Sequence, residues 1–278
     1  MINFTEKFFD LKLLRIADIK LHETTETKRM RRIFDRIASS KYLMNPVIVG
    51  LYKGDYILID GANRLSSLEE IGCKLAIAQI IDYSNPRIKL RTWNHLIYNI
   101  PISVFIEYFD SAKIKYRSAK ISETEAALKS GINHIAVSDI SDGKTFLATL
   151  PKQFEKIITI INSITKLYFN IYPFDRSEEE IRIRDVMKYT RKKGVIVQFP
   201  RFKKHDVIRA SESKNKIPAG ITRHLLINRV LHVRYEINKL RSDNDIEEKT
   251  EELKKYLISK IDNNKVRQYR ESVIVFDE

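Results

Sequence analysis

Cysteine is almost absent. Cys73 is the only one in 278 residues, which excludes an internal disulfide framework and any multi-cysteine zinc site. It follows Gly72 at the expected end of a helix and reads as a small, half-buried apolar residue rather than a nucleophile. Long hydrophobic runs are missing too, since none approaches the roughly 20 residues a membrane helix needs. The start, "MINFTEKFFDLKLL", carries charges where a secretory leader would be apolar, so the expected location is the cytoplasm, with no membrane partner. Tryptophan occurs once, at Trp93, and its first reading is core packing. Repeats, low-complexity tracts and long linkers are absent.

What is present is a foldable, strongly basic chain. Hydrophobic residues make up 43% and charged residues 31%, the balance of a globule and not of a disordered tail. The length suits one large domain or two modest ones. The net charge of +14 attracts polyanions, with nucleic acid a candidate partner, and it equally suits a site handling several phosphates. The basic residues are spread along the chain, with short runs such as "KRMRR" at 28–32, which read as solvated surface.

The first hundred residues predict a compact α/β unit. "LLRI" is a strand, and a helix follows over about Glu26–Ser39. "PVIVGLY" and "DYILID" are strands joined by the hairpin signal Lys53-Gly54. Leu65, Leu68 and Ile71 share one face of a helix closed by Gly72, and "KLAIAQII" is the next strand. Further on, Ser122-Glu123-Thr124-Glu125 reads as a capping box opening a short helix. "KTFLATL" is a strand, and Pro151 starts an amphipathic helix to about Tyr168. Another helix covers roughly Glu178–Lys192, "VIVQFP" is a buried strand, and a helix covers about 203–212. "RHLLINRVLHVRYEI" reads as paired strands, "DIEEKTEELKKYLISKI" as a helix and "ESVIVF" as a last strand. The fold class is α/β with a mixed sheet: one lobe over 1–100 and a second α/β lobe over 101–278, whose late strands fold back onto the first.

Three loops can carry chemistry. His22-Glu23 sits just past an apolar strand, but Glu26 stands where a zinc helix of the H-E-x-x-H kind needs its second histidine. Glu23 is then either a helix-capping acid or something more. The turn Asp60-Gly61-Ala62-Asn63-Arg64 joins a strand to a helix. There a glycine lets backbone N–H groups face an anion, and Arg64 offers a fork that matches phosphate oxygens. Asp60 either holds Mg²⁺ or orders the turn, and an Asx-type turn with a surface arginine is the plainer reading. In "IPAGITRH" (217–224), Thr222, Arg223 and His224 place a hydroxyl, a guanidinium and an imidazole side by side, a grip for carboxylate or phosphate. "TWNH" at 92–95, with Trp93 and His95, is a fourth candidate.

Taken in order, "LLRIADIKLHETTETKR", "NPVIVGLYKGDYILIDGANRLSSLEEIGCKLAIAQI", "RTWNH" and "IPAGITRH" resemble the free L-serine kinases of the ParB/sulfiredoxin-like fold. The motifs are most similar to those of the ATP-using, siderophore-pathway branch. The resemblance is dense over about residues 11–96 and returns at roughly 195–235. It implies a ParB/sulfiredoxin-like N-terminal lobe and transfer of a phosphoryl group from ATP or ADP, with Mg²⁺, to free L-serine. By the same resemblance Glu23 is the catalytic base, and Asp60 is a carboxylate implicated in catalysis and in organising metal or substrate. Gly61, Ala62, Asn63 and Arg64 form the nucleotide-phosphate turn. Trp93, His95, Thr222, Arg223 and His224 fall in segments expected to bind the amino acid.

Departures are visible as well. Ala62-Asn63 lacks the histidine common in the family turn and the cysteine sulfiredoxins need. Pro218-Ala219-Gly220 replaces a Pro-Pro-Lys, and Leu65 follows Arg64 where ParB-type CTP switches carry a second arginine. The competing readings are a ParB-like DNA-binding regulator and a non-catalytic nucleotide sensor. Two acids beside an anion seat favour an enzyme over the sensor.

Overall fold

The computed structural model describes residues 10–178 and 193–268. Strands β1 (Leu11–Arg15) and β2 (Ile19–Leu21) precede helix α1 (Thr27–Ala38), a short β3 (Tyr42–Leu43), and the hairpin β4 (Val47–Tyr52) and β5 (Asp55–Asp60). Lys53 and Gly54 both have positive φ at the hairpin tip, as a tight two-residue loop between right-twisted strands requires. Helix α2 (Ala62–Glu70) and β6 (Leu75–Asp82) complete a mixed sheet ordered β1-β6-β4-β5-β2. The β2/β5 and β4/β6 pairs are parallel, the others antiparallel.

Near its end β5 is bulged. Ile48 faces Asp60 while Val49 faces Leu58, leaving Ile59 as the extra residue. A bulge bends its strand and re-aims the chain beyond it, here the Asp60-Gly61 turn. Both faces of this strand are covered. Leu58 packs into a core with Leu65 and Leu68 of α2. Ile57 and Ile59 pack on the other side with Tyr83 and Val207.

The second sheet is built on the long strand β7 (Lys89–Tyr98). After it come α3 (Ser103–Ser111), β8 (Tyr116–Ser118), α4 (Ile121–Ser130), β9 (His134–Asp139), β10 (Thr145–Thr149), α5 (Phe154–Lys166), β11 (Phe174–Glu178), β12 (Gly194–Gln198), α6 (Lys204–Glu212) and β13 (Thr222–Leu225). The order is β11-β7-β12-β9-β10-β8, with β13 also on β7. Phe105 and Phe109 of α3 and the isoleucines of α5 fill its core. β7 pairs with β13 through its first half and with β11 and β12 through its second. Strand β14 (Tyr235–Glu236) and helix α7 (Ile246–Asp262) end the described chain.

Several elements differ from expectation. The strand pair expected in "RHLLINRVLHVRYEI" does not form as a hairpin: β13 pairs with β7 and β14 with β3. The two halves thus serve different sheets. Val233, Tyr235, Leu240 and Leu253 enter the core of the first sheet, so the late chain does fold back. Helix α4 is capped at Lys120, two residues earlier than the Ser122 box, with the Glu123 carboxylate accepting the Lys120 N–H at 3.1 Å. Helix α5 starts at Phe154, three residues after Pro151. The helix expected over roughly Glu178–Lys192 lies outside the described residues apart from Glu178, which ends β11. The strand "ESVIVF" lies outside them as well. Cys73 is 3% exposed and packed in the first core, where burial raises its thiol pKa, in keeping with an unreactive apolar role. No helix among the described residues is long and apolar enough to cross a membrane.

Candidate active site

A cleft of about 480 Å³ opens where the two sheets meet. Its floor is made by stapling two segments far apart in sequence. Glu23 forms an isolated parallel bridge with Ile217. Ile217 donates to the His22 carbonyl at 2.9 Å, and Thr24 donates to the Ile217 carbonyl at 2.8 Å. The Ala219 N–H then reaches Thr24 Oγ1 at 3.1 Å. From there the chain enters β13 on β7, so the 217–224 loop is pinned to one sheet at its start and to the other at its end.

Glu23 lies in this cleft with its side chain 19% exposed. Burial raises its pKa to about 7, with the Asp60 charge adding to the rise; the Gly220 N–H and Arg176 oppose it, as does Thr222 when its hydroxyl donates to the carboxylate. A carboxyl balanced near neutrality is what proton transfer at working pH requires. Glu23 is not the helix cap, because α1 begins after Glu26.

Opposite stands the Asp60 turn. Gly61 has φ 100 and ψ 27, and no side chain caps the α2 N-terminus. The first helical hydrogen bond runs from Leu65 N to Gly61 O, so the earlier N–H groups of the helix are left for an anion. The positive φ at Gly61, which L side chains rarely adopt, is what favours glycine there. Arg64 folds back to donate to Asp60 Oδ2 at 2.8 Å and to the Pro46 carbonyl at 3.3 Å. Arg229 donates to the same Asp60 oxygen at 2.9 Å. Asp60 therefore orders the turn through two guanidinium groups. Ala62 is buried at the cleft wall, and Asn63 Oδ1 accepts the Glu26 N–H at 3.2 Å, tying the turn to α1.

The late loop supplies the third wall. Thr222 Oγ1 lies 3.2 Å from Glu23 Oε2, and the Arg223 guanidinium stacks 4.4 Å over the Trp93 ring. Trp93 lines the cleft half-buried and is not a core residue. His224 also lines it, with Nε2 bound to Tyr83 Oη at 2.8 Å, and burial lowers its pKa to about 3.

His95 corrects its sequence assignment. It is fully buried away from the cleft, with Nε2 donating to the Gly220 carbonyl at 3.0 Å and Nδ1 accepting from Tyr168 Oη at 2.6 Å. A ring with both nitrogens committed inside a core holds the loop and has nothing left for a substrate.

The cleft also holds residues that sequence reasoning missed. Arg176 of β11 donates to Glu26 Oε2 at 2.6 Å and packs against Gly220. Arg29, from the basic run read as solvated surface, lines the cleft with Arg229. Nothing local marks these positions.

No protein-family model matches the chain. An ATP-dependent L-serine kinase, SbnI of Staphylococcus aureus, is 23% identical over 96% of this chain and 97% of its own length. The chain is thus similar to an L-serine kinase along almost its whole length. The solved structure of SbnI with a C-terminal truncation superposes at a TM-score of 0.71, with 19% identity, over 94% of this chain and all of that one. A free serine kinase in complex with AMP gives 0.67 and 17% identity over 84% of this chain and 94% of that one. The ADP-dependent L-serine kinase SerK of Thermococcus kodakarensis is 26% identical over 31% of this chain and 37% of its own. These relatives include both ATP- and ADP-dependent enzymes, and the structures share this mixed α/β fold.

The buried rings of this region predict acid lability. Burial lowers the pKa of His22 to about 4 and those of His95 and His224 to about 3. Each neutral ring contributes stability that is present above the unfolded value near 6.5 and lost as pH falls toward the folded one. Each therefore costs roughly 2 kcal/mol by about pH 5. Glu23, shifted upward, works in the opposite direction and offsets about one ring. Urea denaturation should show a net loss of several kcal/mol between about pH 7 and pH 5, and a flat profile would contradict the buried neutral rings.

Proposed function

We propose that this chain transfers a phosphoryl group from ATP or ADP to the hydroxyl of free L-serine, forming O-phospho-L-serine. The observation that carries this reading is Glu23. It is a largely buried carboxyl, balanced near neutrality, on the floor of the cleft whose wall is an uncapped helix N-terminus flanked by Arg64 and Arg229. In this reading the serine oxygen attacks the terminal phosphorus, its proton passes to Glu23, and the bond to the departing nucleotide breaks. The α2 N–H groups and Arg64 hold the nucleotide phosphates, since phosphoryl transfer is mainly positioning and charge neutralisation. The first lobe supplies base and phosphate seat. The second supplies Thr222, Arg223, His224 and Trp93 to grip the amino acid.

Among the described residues no three His, Cys, Asp or Glu side chains converge on a metal position, so the cleft offers no all-protein cage. The site fits Mg²⁺ carried in on the nucleotide, which needs only one or two carboxylates. Asp60 at the phosphate turn would hold it, and the ion would neutralise charge on the transferring group.

The direct test is incubation with Mg²⁺, ATP or ADP, and L-serine, threonine or homoserine, with mass spectrometry of the amino acids. Phosphoserine formation with stoichiometric ADP or AMP is expected. No turnover with any pair, together with salt-sensitive binding of duplex DNA, would replace this reading with the regulator.

A further inference from the structure

His22 entered as half of an incomplete zinc motif, and phosphoryl transfer as described leaves it without a task. Its surroundings define one. The ring is 2% exposed. Nδ1 lies 2.7 Å from the Leu58 carbonyl, and a carbonyl only accepts, so Nδ1 carries the proton of the neutral ring. Nε2 is therefore a bare acceptor. Thr222 Oγ1 lies 3.0 Å from that nitrogen and 3.2 Å from Glu23 Oε2. A hydroxyl has one proton. If it goes to His22, only lone pairs remain for Glu23, and lone pairs repel a carboxylate but accept from a carboxylic acid.

We infer that His22 is a positioning residue, polarising the Thr222 hydroxyl so that Glu23 meets a hydrogen-bond acceptor and its proton-bound form is the one the site is built to hold. The chain of donation runs from Glu23 to Thr222 to His22, and His22 donates in turn to Leu58. The inference rests on the reading of Glu23 as the base. A proton taken from the serine hydroxyl finds its acceptor in place, and the carboxylate is a stronger base than one already solvated by donors. Other groups face Glu23 too. Asp60 from the end of β5 reinforces proton binding, while Arg176 from β11 and the Gly220 N–H of the loop oppose it, as does the Thr222 hydroxyl whenever its proton turns from His22 to the carboxylate. His224, its ring 5.7 Å from that of His22, is itself buried and neutral.

The test is a titration of Glu23 by carbon NMR on protein labelled at the glutamate carboxyl, with the signal assigned by its loss in Glu23→Gln. Removing the ring acceptor in His22→Leu frees the hydroxyl to donate to Glu23, so the Glu23 midpoint should fall by about one unit or more. The pH–rate profile for serine should move to lower pH with it. His22→Gln, whose amide can both donate to Leu58 and accept from Thr222, should restore the midpoint. In a Thr222→Val background, His22→Leu should have no further effect.

An unchanged midpoint in a folded His22→Leu protein would overturn the inference and leave His22 a packing residue. Should that variant not fold, nitrogen NMR of the wild-type ring decides, because a protonated Nε2 contradicts the proposed polarity and a bare one supports it. None of these titrations needs turnover. Absence of phosphoserine would therefore sink the kinase reading while leaving the polarity of the His22–Thr222 pair to be judged separately.

Discussion

Glu23→Gln is expected to abolish serine phosphorylation while leaving nucleotide binding in place. Glutamine keeps the shape of the side chain and its contact with Thr222, but its amide cannot take a proton from a hydroxyl. General base catalysis contributes about 10²- to 10⁴-fold, so kcat should fall within that range. The nucleotide is held at the opposite wall by Gly61, the α2 N-terminus and Arg64, and calorimetry with the Mg²⁺ nucleotide should give a Kd within about threefold of wild type. Full activity in the variant would remove Glu23 from the mechanism.

Stability should move the other way. Because burial raises the Glu23 pKa to about 7, the ionised form weakens the fold as pH rises through that value. The neutral amide should therefore raise stability by roughly 1–3 kcal/mol at about pH 8. Lower activity paired with higher stability is the signature of a group kept for its chemistry.

Gly220→Ala is the second substitution with a large expected effect. Gly220 has φ +74, and a Cβ there would run into Arg176 Nε and lie 2.6 Å from Nη2 of the same side chain. The left-handed conformation alone costs an alanine about 1 kcal/mol. The clash cannot be relieved by a simple side-chain swing. Arg176 is held by Glu26 at 2.6 Å and lies 5.3 Å from the centre of the Phe174 ring. On the other side, the Gly220 carbonyl is bound by His95. The loop must move, and Thr222 moves with it. A displacement near 1 Å costs about 10²-fold in rate, so kcat/KM for serine should fall by roughly that factor while thermal stability drops only modestly. Wild-type kinetics would show that the loop does not position the substrate.

The sheet around β5 was legible because its signals are local: a hairpin turn of two residues, an apolar face at helical spacing, a glycine at each end of α2. Glu23 and the Asp60 turn could be singled out for the same reason, as short motifs at strand ends. Arg176 and Arg229 could not. Arg176 meets Glu26 across 150 residues and Arg229 meets Asp60 across 169, and each sits in an unremarkable stretch whose meaning appears only when the sheets meet. His95 failed for the opposite reason. It shares a strand face with Trp93 two residues away, but further along the strand that face lies under the loop, among Tyr168, Phe169, Phe174 and Phe199. The two strands read as a hairpin near the end of the chain likewise had the correct extended propensity, while tertiary contacts chose their partners.

The closure of the first core by Val233, Tyr235, Leu240 and Leu253 has a consequence for how the protein is made. On the ribosome, the strands of the first sheet emerge before the second sheet, but the side chains that seal one of its faces are translated only after it. At about 5–20 residues per second, the nascent chain carries that open apolar face for roughly ten seconds or more. During biosynthesis the first sheet is therefore a natural client for chaperones, and a ribosome stalled before Leu253 holds a chain whose first sheet is still unsealed.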